Sequence, residues 1–447
     1  MNLTGKLPTF RRQQSRSNPY RVLILLVFFV GSMFVLRALE RQEIRSPFEP
    51  TPTVTRPASS FAMEGETHFE SGNLNAAISA YQEAIRLEPT NVSIMVELAR
   101  IQTYSSASLT TDAERKQRLQ EALETITRAT ELAPDDSDAH AVRAFVLDWN
   151  SNPTLVTSDE SDGYLADAAQ EAQRAYVLDN NNALALAYNA EILVDQKNWL
   201  QAEQYIRQAM ELNENFMDIH RINGYVMETL GDYGAAITSY KEAAELMPNM
   251  TFLYINIGTN YRQLKQYDLA LEYYDRAANI NKQVGIFDPI PYLAIANTYS
   301  QIGEFFIAAQ NTRTALEFNP TNANVYGSLG LVYFKSRNYE SAIPALQCVV
   351  RGCDAKTSCI VRDECTEDTP DDEVDPKIEI QALPLSANTV IYYYTYGSVL
   401  AGMHRPVNNY CAEATQVLAE VRAGFSNDPT ILSIIEPSEE ICRSYGE

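Results

Sequence analysis

The chain has 447 residues, 45% of them hydrophobic, an ordinary composition for a folded protein apart from its 26 Tyr. Its formal net charge is −23, but Lys6, Arg11, Arg12, Arg16, Arg21, Arg37, Arg41 and Arg45 stand against only Glu40 and Glu43 in residues 1–45. The rest of the chain is therefore more acidic still, which excludes nucleic acid as the expected partner, because phosphate contacts need a basic face.

Residues 1–21 read as a basic tail. From Val22 to Leu36 the sequence is apolar apart from Gly31 and Ser32, and Ala38 and Leu39 extend the run past Arg37. At about 18 residues this is near the lower limit for a membrane span, so residues 22–39 are expected to be a transmembrane helix. Lys6, Arg11, Arg12, Arg16 and Arg21 precede it without one acidic residue. The positive-inside rule then puts the amino end in the cytoplasm and the body outside. A cleaved signal peptide is the alternative, disfavoured by the length of the apolar run and the lack of a small-x-small site after it. Residues 40–57 follow as a linker, made extended by Pro47, Pro50, Pro52 and Pro57.

A repeat then begins, with a period of about 34 residues. Ala77, Tyr81, Ala84 and Pro89 recur in type as Ala236, Tyr240, Ala243 and Pro248, and again as Ala270, Tyr274, Ala277 and Lys282. Phe61 and Gly65 of the first copy match His220 and Gly224, then Tyr254 and Gly258. Tyr292, Ala296, Tyr299, Ala308, Ala315 and Pro320 form another copy, and Tyr326, Gly330, Tyr333 and Ala342 begin one more. In these residues the chain resembles the tetratricopeptide repeat family. The resemblance implies an all-α, right-handed helical solenoid of about eight to nine helix pairs, with the array over residues 58–351 and a diverged last repeat and capping helix over 388–447. Gly or Ala at the eighth position of a unit, and Ala at the twentieth, let its two helices approach closely. Gly72, Gly231 and Gly303 supply the left-handed residue that ends a first helix, and Pro89, Pro134, Pro248 and Pro320 stop a second one. Polar insertions at 104–117 and 150–164 stretch two units and read as extended helices or loops.

Residues 352–387 form a third insertion, rich in Cys and acidic residues. Its run Glu367-Asp368-Thr369-Pro370-Asp371-Asp372-Glu373 lacks the alternating ligands and central Gly of an EF-hand loop and reads as solvated. All six Cys lie in the last quarter of the chain, without a C-x-x-C. Zinc is therefore disfavoured, and structural disulfides in an oxidising compartment are expected. Cys411 and Cys442 should meet across two antiparallel closing helices. For the other four, Cys348–Cys365 around Cys353–Cys359 is the favoured pairing of three.

Catalytic chemistry is not evident. His68, His140, His220 and His404 are scattered, and no nucleophile elbow, phosphate loop or dinucleotide fingerprint occurs. No enzyme activity, metal or cofactor is expected. In the family, the first helix of each pair lines a concave groove. Carried over, its positions fall on Asp218, Arg221 and Tyr225, on Phe252, Ile255 and Arg262, on Ile290, Leu293 and Asn297, and on Leu331 and Phe334. Exposed apolar groups there would mark binding, and Arg221 and Arg262 would pair with a partner's carboxylate. Alternatively, an insertion or a tight superhelical turn covers them. The functional expectation is a membrane-tethered extracytoplasmic scaffold that binds a peptide or a segment of another envelope protein. An assembly component for polysaccharide export or secretion is the alternative.

Overall fold

The computed structural model describes residues 18–40, 56–109, 111–405 and 407–446. They fall into two units, Met1–Arg56 and Pro57–Glu447. In the first unit the described element is helix α1 (Pro19–Glu40). Its residues Pro19–Ala38 are long and apolar enough to cross a membrane, and none of that stretch is buried. The basic tail up to residue 17 and the linker over 41–55 lie outside the described residues.

The second unit is all helical, built from consecutive antiparallel pairs. They are α2 (Ala58–Glu70) with α3 (Leu74–Leu87), α4 (Val92–Ser106) with α5 (Asp112–Leu132), α6 (Ser137–Asn150) with α7 (Ser158–Leu178), and α8 (Ala183–Asp195) with α9 (Trp199–Leu212). Then follow α10 (Met217–Thr229) with α11 (Tyr233–Leu246), α12 (Thr251–Gln263) with α13 (Tyr267–Val284), α14 (Ile290–Ile302) with α15 (Phe305–Phe318), and α16 (Ala323–Lys335) with α17 (Tyr339–Val350). A short α18 (Ala355–Val361) precedes a last pair, α19 (Val390–Met403) with α20 (Cys411–Gly424), closed by α21 (Pro429–Ser444).

Local chemistry sets these boundaries. Asn73, Asn91, Asp136, Asn182, Asp232 and Asn338 each cap a helix start, the side-chain oxygen accepting from the amide three residues on. The turns inside pairs need a left-handed residue. Gly72, Gly231 and Gly303 supply it, while Lys197, Lys265 and Arg337 adopt it at the same place in other pairs. Within a pair, the small eighth residue meets the ring of the second helix. A Cβ added to Gly65 would lie 2.5 Å from Tyr81, and one on Gly224 would lie 2.8 Å from Tyr240. Between pairs, Tyr254 Oη donates to the Pro248 carbonyl at 2.8 Å and Tyr326 Oη to that of Pro320 at 2.9 Å. His140 and His220 take the same position, each with Nε2 on a carbonyl six residues earlier, 3.0 and 2.7 Å away. Two of the scattered histidines thus tie one pair to the preceding one.

The insertions at 104–117 and 150–164 lengthen the second helices of their pairs. Helices α5 and α7 have 21 residues each, against 14 in α3, α9 and α11. Both begin with a capping box, Thr111 with Glu114 and Thr157 with Glu160. The array also turns back on itself. Gly72, in the first pair, lies so close to Asn249 at the start of the sixth that a Cβ there would come within 2.5 Å of the Asn249 carbonyl oxygen.

The cysteines pair as Cys348–Cys353, Cys359–Cys365 and Cys411–Cys442. The nested expectation, Cys348–Cys365 around Cys353–Cys359, is corrected. Cys359 lies inside helix α18, whereas Cys353 precedes that helix and pairs its backbone with Ile380, and each bonds a different cysteine. The chain reverses at Gly352 (φ 80°), bringing Cys353 back to Cys348 with Cα atoms 4.6 Å apart. A second left-handed residue, Asp363, folds Cys365 back onto α18. Cys353 and Ile380 exchange backbone hydrogen bonds of 3.0 and 2.9 Å, which anchors the far end of the 352–387 segment.

Candidate binding surface

The first helices of the second to sixth pairs line the inner face of the turn, and their polar side chains face one another across it. Asp218, 1% exposed, stands at the centre. It accepts hydrogen bonds from Arg100 Nη1 at 2.8 Å, Tyr104 Oη at 2.5 Å and Tyr188 Oη at 2.6 Å. Burial acts to raise its pKa, but Arg100 and the two phenols outweigh that and hold the carboxyl below its ordinary value. Beside it, Arg221 grips Glu191 with both terminal nitrogens, at 2.7 and 2.6 Å. The Arg221 guanidinium also lies 5.5 Å from the ring centroids of Tyr104 and Phe145, a cation–π arrangement.

A cavity of about 780 Å³ opens next to this network. Its lining includes Asp148, Trp149, Glu191, Asp195 and Tyr225, with residues of both insertions. Asp195 accepts from Tyr225 Oη at 2.5 Å. Burial nevertheless pushes the Asp195 pKa up to about 6, with Glu191 adding to the rise. Asp148 is 3% exposed and its Oδ1 has no hydrogen-bond partner. Burial, then repulsion from Asp195 and Glu191, holds its pKa well above the usual carboxylate range. A second, smaller cavity of about 210 Å³ lies where the first pair meets the sixth and seventh.

The groove residues expected from sequence are dispersed by this geometry. Arg221 is 5% exposed and already paired, so the expectation that it would meet a partner's carboxylate is corrected. Tyr225 is engaged by Asp195, and Phe252 stacks on Tyr104. Ile255 and Ile290 line the smaller cavity. Leu293 and Phe334 pack, partly buried, against the carboxyl-terminal core, and Leu331 is likewise partly buried. Arg262 is partly buried near Tyr274, and Asn297 is exposed. The structure therefore brings together Asp218, Arg221 and Tyr225 but adds Asp148, Glu191 and Asp195. A signal for some of these existed. The repeat position of Tyr225 holds Glu191 in the unit before and Arg100 in the second unit. Nothing in the repeat pattern marks Asp148 as unpartnered.

Among the described residues no group of three or more His, Cys, Asp or Glu is placed to hold a metal ion. The tetratricopeptide-repeat model matches residues 58–91 and 253–284, and that fold serves as a non-catalytic scaffold. The chain is 30% identical over 117 residues to the BBSome complex member BBS4 of Bos taurus, covering 26% of this chain and 22% of that protein. It is 24% identical over 160 residues to Tetratricopeptide repeat protein 6 of Homo sapiens, covering 34% of this chain and 31% of that one. It thus spans less than a third of the length of either relative. Among solved structures, it is similar to a chain of the APC/C hetero-tetramer Cut9-Hcn1, with a TM-score of 0.47, 14% identity, and coverage of 92% of this chain and 81% of that one. Residues 58–91 and 253–284 are tetratricopeptide repeats, and the array of helix pairs that contains them is a solenoid of tetratricopeptide-repeat type.

Proposed function

We propose that this protein is a membrane-tethered scaffold whose repeats lie outside the cytoplasm and bind a segment of another protein on the inner face of the array. The observation that carries the binding reading is the cavity of about 780 Å³, whose wall includes residues of both insertions. A repeat does not need such insertions to fold, since the neighbouring pairs lack them. The apolar helix Pro19–Ala38 supports the tether. The three disulfides support an oxidising compartment for the repeats. The basic flank of the apolar helix supports the orientation. The relatives' names fit a binding role, one of them being a member of a protein complex.

The test is done in intact membranes. Carbonate washing should leave the full-length chain in the pellet, and protease added from outside should remove the repeats. Release of a shortened soluble chain would overturn the tether. A photo-crosslinker at Lys197, exposed and lining the large cavity, should capture a discrete partner. The same group at Phe306, 83% exposed on the second helix of the seventh pair and not part of the cavity lining, should not. Equal capture at both sites, or none at either, would overturn the binding face.

A further inference from the structure

Asp148 is the one carboxylate of the large cavity with a buried oxygen that has no hydrogen-bond partner. The others facing that space are engaged. Glu191 is held by both terminal nitrogens of Arg221, and Asp195 accepts the Tyr225 hydroxyl. Neither basic side chain at the rim, Arg115 or Lys197, hydrogen-bonds to Asp148 Oδ1. Arg115 Nε donates to the Leu109 carbonyl at 2.7 Å, and Lys197 is exposed in the turn after α8. Asp148 is 3% exposed, lines the cavity, and has an Oδ1 without a partner. A buried carboxylate oxygen left unmatched weakens the fold. Its presence is explained if the matching group arrives with a ligand.

The surrounding wall narrows the class of that ligand. Trp149 presents an aromatic surface, and Leu119, Leu155 and Leu165 present aliphatic ones. Two carboxylates at one place, with apolar walls beside them, suit a cationic head on an apolar stem. A bare metal ion does not suit it, since among the described residues no three ligands converge. We propose that this cavity seats a single organic cation, a guanidinium or ammonium group borne by an Arg or Lys side chain of the partner segment. The proposal rests on the scaffold reading above and names the chemistry of its partner. The head meets Asp148 and Asp195; its charge favours their ionised forms, the Asp148 proton leaving to solvent, and the charge-assisted hydrogen bonds that result are strong, while the stem lies along Trp149 and the leucines.

The acidic body attracts any cation diffusely, so the experiment must separate a seat from a field. The full chain in detergent, with Trp199→Phe leaving Trp149 as the sole reporter, is titrated with N-acetyl-argininamide, N-acetyl-lysinamide, uncharged N-acetyl-norleucinamide and spermidine. The expected result is a saturable change in Trp149 emission with the first two, largely retained at 0.5 M NaCl and at least tenfold weaker with norleucinamide. Asp148→Asn should weaken argininamide binding tenfold or more without lowering the melting temperature. If that variant loses its helical signal, Asp195→Asn replaces it, with severalfold weakening expected. A linear response abolished by salt, or unchanged affinity in the variant, overturns the seat. Spermidine binding tighter than argininamide overturns its assignment to a partner side chain. Failure of the scaffold reading is recognised separately, as loss of capture at Lys197; capture that persists while argininamide fails to bind rejects only the seat.

Discussion

Phe252 stacks on Tyr104, ring centroids 5.5 Å apart and planes 11° from parallel. Tyr104 belongs to the second helix pair and Phe252 to the sixth, so the contact closes one turn of the array. The same phenol donates to Asp218 in the fifth pair and receives the Arg221 Nε at 3.2 Å. An inner face that would otherwise be an open groove is drawn shut here by its own side chains. What stays open is the space beside it, framed by the long helices α5 and α7.

Asp218 joins three donors from two other pairs, so its loss should be felt well beyond its own helix. Asp218→Ala leaves Arg100 without its main counter-charge in a buried setting and should cost about 3–5 kcal/mol. Tyr188→Phe, which removes one donor only, should cost about 1 kcal/mol. Urea unfolding followed by circular dichroism measures both. A cost under 1 kcal/mol for Asp218→Ala would show that the closure does not hold the turn together.

The two inner carboxylates should respond to pH in opposite directions. Asp218 has a lowered native pKa. Its contribution is complete above the ordinary carboxylate value and is lost as pH falls through the native one. Asp195 is raised from 3.8 to about 6. Its native state binds protons more tightly than the unfolded chain, so stability is fullest below pH 3.8 and falls as pH rises through about 6. Asp195→Asn removes that loss while keeping an acceptor for Tyr225. It should stabilise the protein by about 1–2 kcal/mol at pH 8 and leave it unchanged near pH 4. Melting curves of the two proteins across this range decide it; a gain that is the same at both ends would contradict the assignment.

Gly258 allows α12 and α13 to touch. A Cβ there would sit 2.6 Å from the Tyr274 ring and 3.0 Å from the Ala270 carbonyl oxygen, and the latter is backbone and cannot swing aside. Gly258→Leu should overpack this pair by about 1–3 kcal/mol or more, with loss spreading to the neighbouring repeats. An unchanged thermal melt would mean that the pair spacing is set elsewhere.

At the carboxyl end, Cys411 opens α20 and Cys442 lies near the end of α21, with Cα atoms 5.3 Å apart across the antiparallel helices. Replacing both by Ser should cost about 2–4 kcal/mol, because the link closes a loop that the unfolded chain would otherwise keep open. Non-reducing peptide mapping should also recover Cys348 with Cys353 and Cys359 with Cys365. A peptide joining Cys348 to Cys365 would restore the nested pairing.

Much of the fold is legible in the residues because its rules are local. Gly65 and Tyr81, or Gly224 and Tyr240, lie within one unit, and the same packing repeats wherever the same pair of types recurs. Gly72, Gly231 and Pro248 mark turns through backbone restrictions that any chain obeys. Cys411 and Cys442 also belong here, since two consecutive antiparallel helices bring the start of one beside the end of the next. The insertions were legible only as extra length.

What the sequence by itself determined is therefore the helix pairs, their spacing and the order in which they stack, because those depend on side chains within about one repeat of each other. Only the tertiary structure decided which inner residues are free. Whether Arg221 faces a partner or Glu191, whether Phe252 is exposed or stacked on Tyr104, and whether Asp148 has a mate all depend on the small rotation between successive pairs, accumulated from the second to the sixth. No single residue encodes that sum. It closes the turn, buries charged groups such as Arg221 and Asp218, and leaves one carboxyl oxygen, Asp148 Oδ1, facing a cavity without a hydrogen-bond partner.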